Sequence, residues 1–391
     1  MFAHLPREVP PTAGLPVPFG KVLGAIAGGL QSNTSNDLNF RKALAAFLGA
    51  EEVDIFSSGT TCLWLAFVAL KRRTGRSKVI LPGFTCPLVA IAAHAAGMQI
   101  VLCDTMPDSF EFDLDLLSSL CDQSVAAVVL TDIGGLPAKL ESINAIAHKV
   151  DAFVIEDAAQ AFGASRHGKG LLEQSSADLT VFSLAAGKGL SLFDGGIIIA
   201  KDPDLRNAIR ITAKEIIPVE KSLQSRAQFS FLGYSLVYNP YGLRWVYGTE
   251  LRDHLKRGDL EGAVGDRFDL SLPHYDFSSD WRLKVGLDLL PSMPDFLRQN
   301  RQRALVRMAF LRNETGARVL SEYPDCTGSW PFLSLLCRDA TQRDAILNEL
   351  WTEGLGVTRL FIHELAGYDY LKEILPATDT PNARSFAERH L

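Results

Sequence analysis

The sequence has no run of basic residues and no uninterrupted apolar segment long enough to span a membrane. Its formal net charge is −6, which together with the missing basic run argues against nucleic acid as the main partner. The first residues are rich in proline and lack the charged-then-apolar order of a secretory signal. These absences favour a protein that stays in the cytoplasm.

Paired cysteine spacings of the kind that bind metals are also absent, and we expect no metal site. The scattered cysteines are predicted to be reduced thiols, as in a cytoplasmic protein. No G-x-G-x-x-G motif follows a strand near the start of the chain, which disfavours a Rossmann-type NAD enzyme. The six cysteines are Cys62, Cys86, Cys103, Cys121, Cys326 and Cys337.

The 391 residues are enough for a large domain and a smaller one. Short apolar runs alternate with helix-like segments, a pattern typical of βαβ units and of a mostly parallel sheet covered by helices on both faces. The strands are predicted at 79–82, 100–104, 127–132 and 153–157, and the sheet is predicted to end near Ala200. The helices are predicted at 37–49, with Asp37 as N-cap, and at 60–72, 87–96, 113–121 and 139–149. Ligands bind such sheets at the carboxyl ends of the strands.

Composition divides the chain into four parts. Residues 1–36 are predicted to form an extended N-terminal arm, and 37–202 the large α/β domain. The segment 203–280 is predicted to be an irregular insert, and 281–391 a small C-terminal α+β domain with a strand at 330–337 and a helix at 341–354. The aromatic residues of 229–248 favour packing at a subunit or domain interface, with contact to a membrane surface as the alternative.

The stretch SSGTTCLWLAFVAL, residues 57–70, leads from a small polar turn directly into an apolar helix. Free main-chain N–H groups and hydroxyls at a helix N-terminus form a potential phosphate site. Ser and Thr also cap helices without binding anything, so this stretch alone leaves both interpretations open.

Asp157 ends the buried strand of FVIEDAAQAFGA, residues 153–164. A buried carboxylate is costly unless it meets a cation, and a protonated pyridine nitrogen would be such a cation. Gln160 follows three residues later and is placed to contact the same ring. A structural carboxylate that accepts main-chain N–H bonds remains the alternative.

Lys188 lies in a turn of small residues within VFSLAAGKGLSLFDGG, residues 181–196. A lysine that must lose its proton and attack a carbonyl needs such an enclosed setting, whereas a surface lysine does not. Ser183 adds a hydroxyl near the predicted phosphate site. Phosphate, pyridine nitrogen and aldehyde are the three groups by which pyridoxal 5′-phosphate is held, and these residues provide one partner for each.

These motifs, with LPGFTCPLVAIAAHAAGMQIVLCD at 81–104, resemble in order and spacing those of the DegT/DnrJ-type sugar aminotransferases. The resemblance is strong over about 30–200 and weaker over 281–365. It implies the pyridoxal-phosphate-dependent transferase fold type I, with a mostly parallel seven-stranded sheet flanked by helices and a smaller C-terminal α+β domain. By position, it implies that Lys188 forms the Schiff base with the cofactor, that Asp157 pairs with the pyridine nitrogen and that Gln160 lies near the phenolic oxygen. The residues that match cofactor phosphate ligands are Gly59, Thr60 and Ser183. Cys86 occupies the position of the aromatic cofactor face, and Phe84 is the candidate aromatic.

Four positions depart from the family pattern, and the first is Cys86, which stands where the family stacks an aromatic residue on the cofactor face. Asp132 and Gly134 replace a His and an aromatic residue after the 127–132 strand. Near residue 280 the family has an Asn-aromatic-Arg element that reaches the partner subunit's phosphate. This chain has Asp280 there, an unfavourable neighbour for a dianion, although Arg282 matches.

The resemblance implies an aminotransferase that moves an amino group from glutamate to a keto sugar, nucleotide-linked, in sugar or polysaccharide biosynthesis. It also implies a homodimer with shared active sites. A sugar dehydratase of the same family is one alternative, but those enzymes have histidine where this chain has Lys188. A regulatory, non-catalytic protein on this scaffold is the other, and Lys188, Asp157, Gln160 and Ser183 together argue against it.

Overall fold

A computed structural model describes residues 7–28, 35–174, 177–218, 221–271, 280–314 and 318–391. Its helices, α1 to α16 in chain order, are Phe19–Gly28, Ser35–Leu48, Gly59–Thr74, Pro87–Ala95, Leu114–Leu120, Leu140–Ala147, Leu171–Gln174, Pro203–Ile216, Lys221–Val237, Pro240–Trp245, Tyr247–Lys256, Leu260–Val264, Asp280–Leu289, Met293–Glu314, Ala340–Leu350 and Pro381–Arg389. Its strands, β1 to β12, are Asp54–Phe56, Lys78–Pro82, Gln99–Cys103, Val125–Thr131, Phe153–Asp157, Ser165–Arg166, Lys169–Gly170, Leu179–Ser183, Gly196–Ala200, Arg318–Val319, Cys326–Thr327 and Leu335–Leu336.

Seven strands form the central sheet, in the order β1-β9-β8-β5-β4-β2-β3. The neighbours from β8 to β3 pair in parallel, and β9 pairs antiparallel with both β8 and β1. The fold class predicted from the sequence is therefore confirmed. The predicted strands agree with β2, β3, β4 and β5 to within two residues at each end.

The sheet is buried on both faces because its strands carry apolar residues at successive positions. Along β4, Ala127 and Val129 belong to a cluster with α3, α4 and α8, whereas Val128 and Leu130 belong to a cluster with α5 and α6. Since successive side chains of a strand point to opposite faces, the two clusters lie on opposite sides of the sheet. A third cluster packs α1, α2 and α13 against β1 and β9.

Four expectations about secondary structure were wrong. Part of the arm is not extended: α1 forms because Val22 and Ala25, three residues apart, share one buried face. The segment 203–280 is not irregular where it is described, since it contains α8 to α12. In α9 the aromatic residues obscure the helical periodicity of the sequence, because Phe231 is buried while Phe229 is exposed.

The other two concern a helix start and a strand. Helix α2 begins at Ser35, so Asp37 is not its N-cap and instead pairs with Arg41 at 2.7 Å. The predicted strand at 330–337 is reduced to Leu335–Leu336. Among the residues that the structure describes, no helix combines the length and apolarity needed to traverse a bilayer. The domain boundaries at 36, 202 and 280 stay a prediction.

Candidate active site

The candidate site lies at the carboxyl ends of β4, β5 and β8, where parallel strands bring remote residues together. The main-chain N–H of Asp132, just after β4, donates to the carbonyl of Asp157 at 3.0 Å. The N–H of Ala158 donates to Val181 of β8 at 2.8 Å. These bonds hold Asp157, at the end of β5, between the two neighbouring strand ends.

Asp157 is a buried carboxyl group, only 4% exposed. It accepts one hydrogen bond, from the main-chain N–H of Ala159 at 3.1 Å. Burial raises the pKa of Asp157 to about 6, and the charge of Lys188 acts in the opposite direction. Within the described ranges, no Lys, Arg or His nitrogen forms an ion pair with it. The carboxylate is therefore in a setting where an additional cation stabilises its charged form.

Lys188 occupies the turn between β8 and β9 and is half-buried. Its main-chain N–H donates to Ala185 at 3.1 Å. The preceding residue, Gly187, has φ +78°, a conformation that L side chains rarely adopt. Glycine at position 187 is thus required by the backbone of the turn.

Cys86 follows β2 at the same edge of the sheet. It is the N-cap of α4 and is followed by Pro87 at the first helical position. Burial raises the pKa of the Cys86 thiol to about 12, and Lys188 and Asp157 are close enough to influence its charge. Cys86 is therefore a neutral, compact wall of the site.

The N-terminus of α3 reaches the same region. Ser58 caps this helix by accepting the N–H of Thr61 at 3.0 Å, and the first turn carries no acidic residue. A Cβ at Gly59 would lie 3.5 Å from the Cβ of Ser183. The fold therefore brings the start of α3 and the end of β8 together, with free N–H groups of a helix N-terminus beside a hydroxyl.

Gln160 is held by contacts at both ends. Its side-chain oxygen accepts the N–H of Gly134 at 2.8 Å, and its carbonyl accepts the Ser329 hydroxyl at 2.9 Å. The main chain of Gly134 thus orients the Gln160 amide. Thr60 follows Gly59 in α3 and is half-buried.

Phe84 does not belong to this group, which corrects the expectation that it faces the cofactor. Its side chain is fully buried, with its ring 4.9 Å from that of Phe386 and 5.4 Å from that of Phe361. Phe84 is therefore core between the sheet and the C-terminal region. No aromatic face for a cofactor is found at 83–87.

The element near residue 280 lies only partly within the described residues. Asp280 starts α13, but its side chain is outside them. Arg282 is fully buried beside Asp194. Burial raises the pKa of Asp194 to about 6, and the charge of Arg282 acts in the opposite direction. Arg282 thus contacts the interior of its own chain.

One buried cluster beside the site was missed. Nη2 of Arg166, in β6, lies 2.5 Å from Oε1 of Glu156 and 3.5 Å from Oδ1 of Asp132. All three side chains are buried. The sequence signal for this cluster is the pair of adjacent acids Glu156 and Asp157. Because successive side chains of a strand face opposite sides of the sheet, Glu156 cannot share the partner of Asp157 and needs a cation of its own.

The chain matches the model of the DegT/DnrJ/EryC1/StrS aminotransferase family over residues 20–236. That match covers more than half of its length, and the protein belongs to this family.

Among curated relatives, UDP-2-acetamido-2-deoxy-3-oxo-D-glucuronate aminotransferase of Pseudomonas aeruginosa is 36% identical over 172 residues, 44% of this chain and 47% of that protein. GDP-perosamine synthase of Caulobacter vibrioides is 32% identical over 174 residues, 44% of this chain and 46% of that protein. The chain thus spans about half the length of the curated relatives it matches.

Solved structures extend the likeness in fold to nearly the whole chain. PseC of Helicobacter pylori, an aminotransferase involved in pseudoaminic acid biosynthesis, has a TM-score of 0.74 at 18% identity, covering 97% of this chain and 92% of that one. The PLP-form of the putative sugar aminotransferase Spr1654 of Streptococcus pneumoniae has a TM-score of 0.72 at 17% identity, covering 98% and 92%.

Proposed function

We propose that the protein is a pyridoxal-phosphate-dependent aminotransferase that moves an amino group from an amino acid, glutamate, to a keto sugar. The observation that carries this proposal is the meeting of Asp157, Lys188 and the N-terminus of α3 at one edge of the sheet. These three elements differ in chemistry, and each suits a different part of the same cofactor.

The residues present fit pyridoxal phosphate. The N–H groups of Gly59 and Thr60 and the hydroxyl of Ser183 would hold the phosphate, since α3 opens beside the end of β8 without an acidic residue in its first turn. Asp157 would receive the protonated pyridine nitrogen, the cation that its buried carboxylate otherwise lacks. Gln160 would contact the phenolic oxygen, and Cys86 would line the ring face.

The bound cofactor supplies an electron sink for the electrons released at the substrate carbon. The protein's own part is to hold that sink protonated through Asp157 and to move a proton. The Lys188 amine is the base that takes the proton from Cα of the amino donor, because its turn follows β8, the strand that pairs with β5 at Asp157. Cys86, neutral at physiological pH, adds no competing charge.

The acceptor is proposed from the relatives. Two of the curated proteins are named for nucleotide sugars with a keto or amino group, one a UDP-linked 3-oxo-glucuronate and one GDP-perosamine. We therefore propose a nucleotide-linked keto sugar as the acceptor, in sugar or polysaccharide biosynthesis.

A homodimer with shared active sites is part of the proposal, as is a place in the cytoplasm. All six cysteines are free thiols, which fits a reducing compartment. The dimer is checked by light scattering of the purified protein, and a monomer at working concentration contradicts this part alone.

The experiment is an absorbance spectrum of the purified protein with pyridoxal phosphate, recorded before and after glutamate. Wild type is expected to gain a visible band that glutamate removes, and Lys188→Ala is expected to lack that band. Lys149→Ala, which changes an exposed lysine far along the chain from the turn, is the matched control. A visible band that survives in Lys188→Ala contradicts the proposal.

A further inference from the structure

In the turn that carries Lys188, the main chain of Gly187 forms hydrogen bonds with two side chains from distant parts of the sequence. The Tyr234 hydroxyl of α9 accepts the Gly187 N–H at 3.2 Å. The Thr12 hydroxyl of the N-terminal arm donates to the Gly187 carbonyl at 2.9 Å. Both polar groups of the residue before Lys188 are therefore fixed by side chains rather than by regular secondary structure.

Thr12 and Tyr234 are linked to each other through Tyr238. The Tyr238 hydroxyl donates to the carbonyl of Thr12 at 3.1 Å, and the rings of Tyr238 and Tyr234 have centroids 4.7 Å apart. Burial raises the pKa of both tyrosines, so their hydroxyls keep their protons. Thr12, Tyr234 and Tyr238, here called the turn clamp, form one connected unit around Gly187.

The arm adds main-chain contacts on the other side of Lys188. The N–H of Leu15 donates to Gly189 at 2.9 Å. A Cβ at Gly14 would lie only 2.8 Å from the Lys188 carbonyl, so the arm passes in close contact. The turn is thus held directly before and directly after the lysine.

The arm itself is firmly attached, which a positioning role requires. Glu8 is 2% exposed and pairs with Arg252 at 3.0 Å and with Arg244 at 3.2 Å. Its N–H donates to the carbonyl of Pro240 at 2.8 Å. A buried carboxylate between two guanidinium groups anchors the arm onto α10 and α11.

We propose that Thr12 and Tyr234 are positioning residues for Lys188: they fix the Gly187 peptide groups and thereby the direction from which the lysine amine approaches the substrate carbon. Tyr238 supports them by holding the Thr12 main chain. This inference rests on the proposed function, because it assigns the clamp to the proton transfer made by Lys188. A misplaced Lys188 amine is expected to slow the proton transfer and to leave cofactor affinity nearly unchanged, since the residues proposed to bind the phosphate and the ring lie outside the clamp.

The test compares Thr12→Val and Tyr234→Phe with wild type, both loaded with pyridoxal phosphate. Each substitution removes one hydroxyl and keeps the shape, including the contact of the Tyr234 ring with Phe193. The rate at which glutamate removes the visible band is expected to fall about 10- to 100-fold in each variant, as small errors in position do. The dissociation constant for pyridoxal phosphate is expected to stay within about threefold of wild type.

Two further variants separate positioning from folding. Thr12→Ser keeps the hydroxyl and is expected to restore most of the rate. Tyr247→Phe removes a hydroxyl from the neighbouring helix α11, outside the clamp, and is expected to leave the rate unchanged. The pH at which the visible band titrates is expected to shift in Thr12→Val and Tyr234→Phe but not in Tyr247→Phe.

The inference is overturned if the two clamp variants react with glutamate as fast as wild type. It is also overturned if their rate falls only in proportion to lost cofactor or lost melting temperature, or if Thr12→Ser is as slow as Thr12→Val. A wild type that takes up no pyridoxal phosphate contradicts the proposed function, and a normal wild type with unaffected variants contradicts the clamp alone.

Discussion

Nη2 of Arg166 lies 2.5 Å from Oε1 of Glu156, and both side chains are buried. The same nitrogen is 3.5 Å from Oδ1 of Asp132. One guanidinium thus faces two carboxyl groups, and burial together with the charge of Glu156 raises the pKa of Asp132 far above its usual range. These effects favour the protonated form of Asp132, and the Glu156 carboxyl group is the one closest to the guanidinium.

Removal of the cation from this cluster is expected to be costly. Arg166→Met leaves Glu156 buried without its counter-charge, so we expect the free energy of unfolding to fall by about 3–5 kcal/mol. Urea unfolding at neutral pH measures it. The control is Arg307→Met on the exposed side of α14, which should change little. A loss of less than about 1 kcal/mol for Arg166→Met would show that the buried Arg166–Glu156 pair does not stabilise the fold.

Asp157 is expected to lower the stability of the cofactor-free protein. Its folded pKa of about 6 lies above the ordinary 3.8, so its contribution to stability is present below pH 3.8 and is lost as pH rises through 6. At neutral pH, cofactor-free Asp157→Asn should therefore be more stable than wild type by about 1–3 kcal/mol.

With pyridoxal phosphate the order should reverse, because asparagine cannot hold the ring nitrogen protonated. Thermal melts with and without cofactor, at pH 4 and at neutral pH, provide the comparison. If Asp157→Asn is less stable than wild type without cofactor at neutral pH, the carboxylate already has a partner and the proposed role fails.

Gly196 is expected to be required for the phosphate site. A Cβ there would lie 2.3 Å from the carbonyl carbon of Ser58 and 2.4 Å from the Gly59 nitrogen. Gly196→Ala should therefore displace the start of α3, destabilise the protein by about 1–3 kcal/mol and weaken binding of pyridoxal phosphate.

Gly24→Ala is the matched control for that substitution. A Cβ at Gly24, on an exposed position of α1, meets nothing within 4 Å, so the change should add up to about 1 kcal/mol of stability and leave cofactor affinity unchanged. Equal cofactor affinity in Gly196→Ala and wild type would show that the helix start does not contact the phosphate.

His390 is expected to make the protein sensitive to acid. Burial and the nearby charge of Arg359 lower its pKa from 6.5 to about 3, so the native state keeps the ring neutral. The unfolded chain binds a proton first, and His390's contribution to stability is lost as pH falls from about 6.5 toward 3.

His390→Phe should reduce this loss and keep the packing, since the His390 ring stacks on Phe386 at 5.0 Å and makes no hydrogen bond within the described residues. The measurement is the urea midpoint of wild type and variant at pH 7 and pH 5. A difference between the two proteins that does not change with pH would contradict the assignment.

The sequence predicted the parallel core well because its strands are continuous apolar runs with sharp polar ends, as in 153–157. It failed for α8 to α12, and in α9 apolar residues on both the inner and the outer side obscure the helical period. Phe231 is buried, while Phe229 and Trp245 are exposed on the same stretch.

The candidate site was predicted where local sequence sets the geometry. Asp157 lies at the end of β5, Cys86 lies at the start of α4 and Lys188 lies in the turn after β8, and short motifs mark each of these positions. Phe84 was misplaced because its partners, Phe361 and Phe386, come from a part of the chain nearly 300 residues away. The clamp on Gly187 had no local signal, since Thr12 and Tyr234 reach it only through the tertiary fold.

The central claim, that Lys188 is the lysine which holds the cofactor, is tested most directly by reductive trapping. The protein is loaded with pyridoxal phosphate, treated with borohydride, digested and analysed by mass spectrometry. We expect a stable pyridoxyl group on the peptide containing Lys188 and no such group in Lys188→Ala. A pyridoxyl group on another lysine, or none on wild type, would contradict the account.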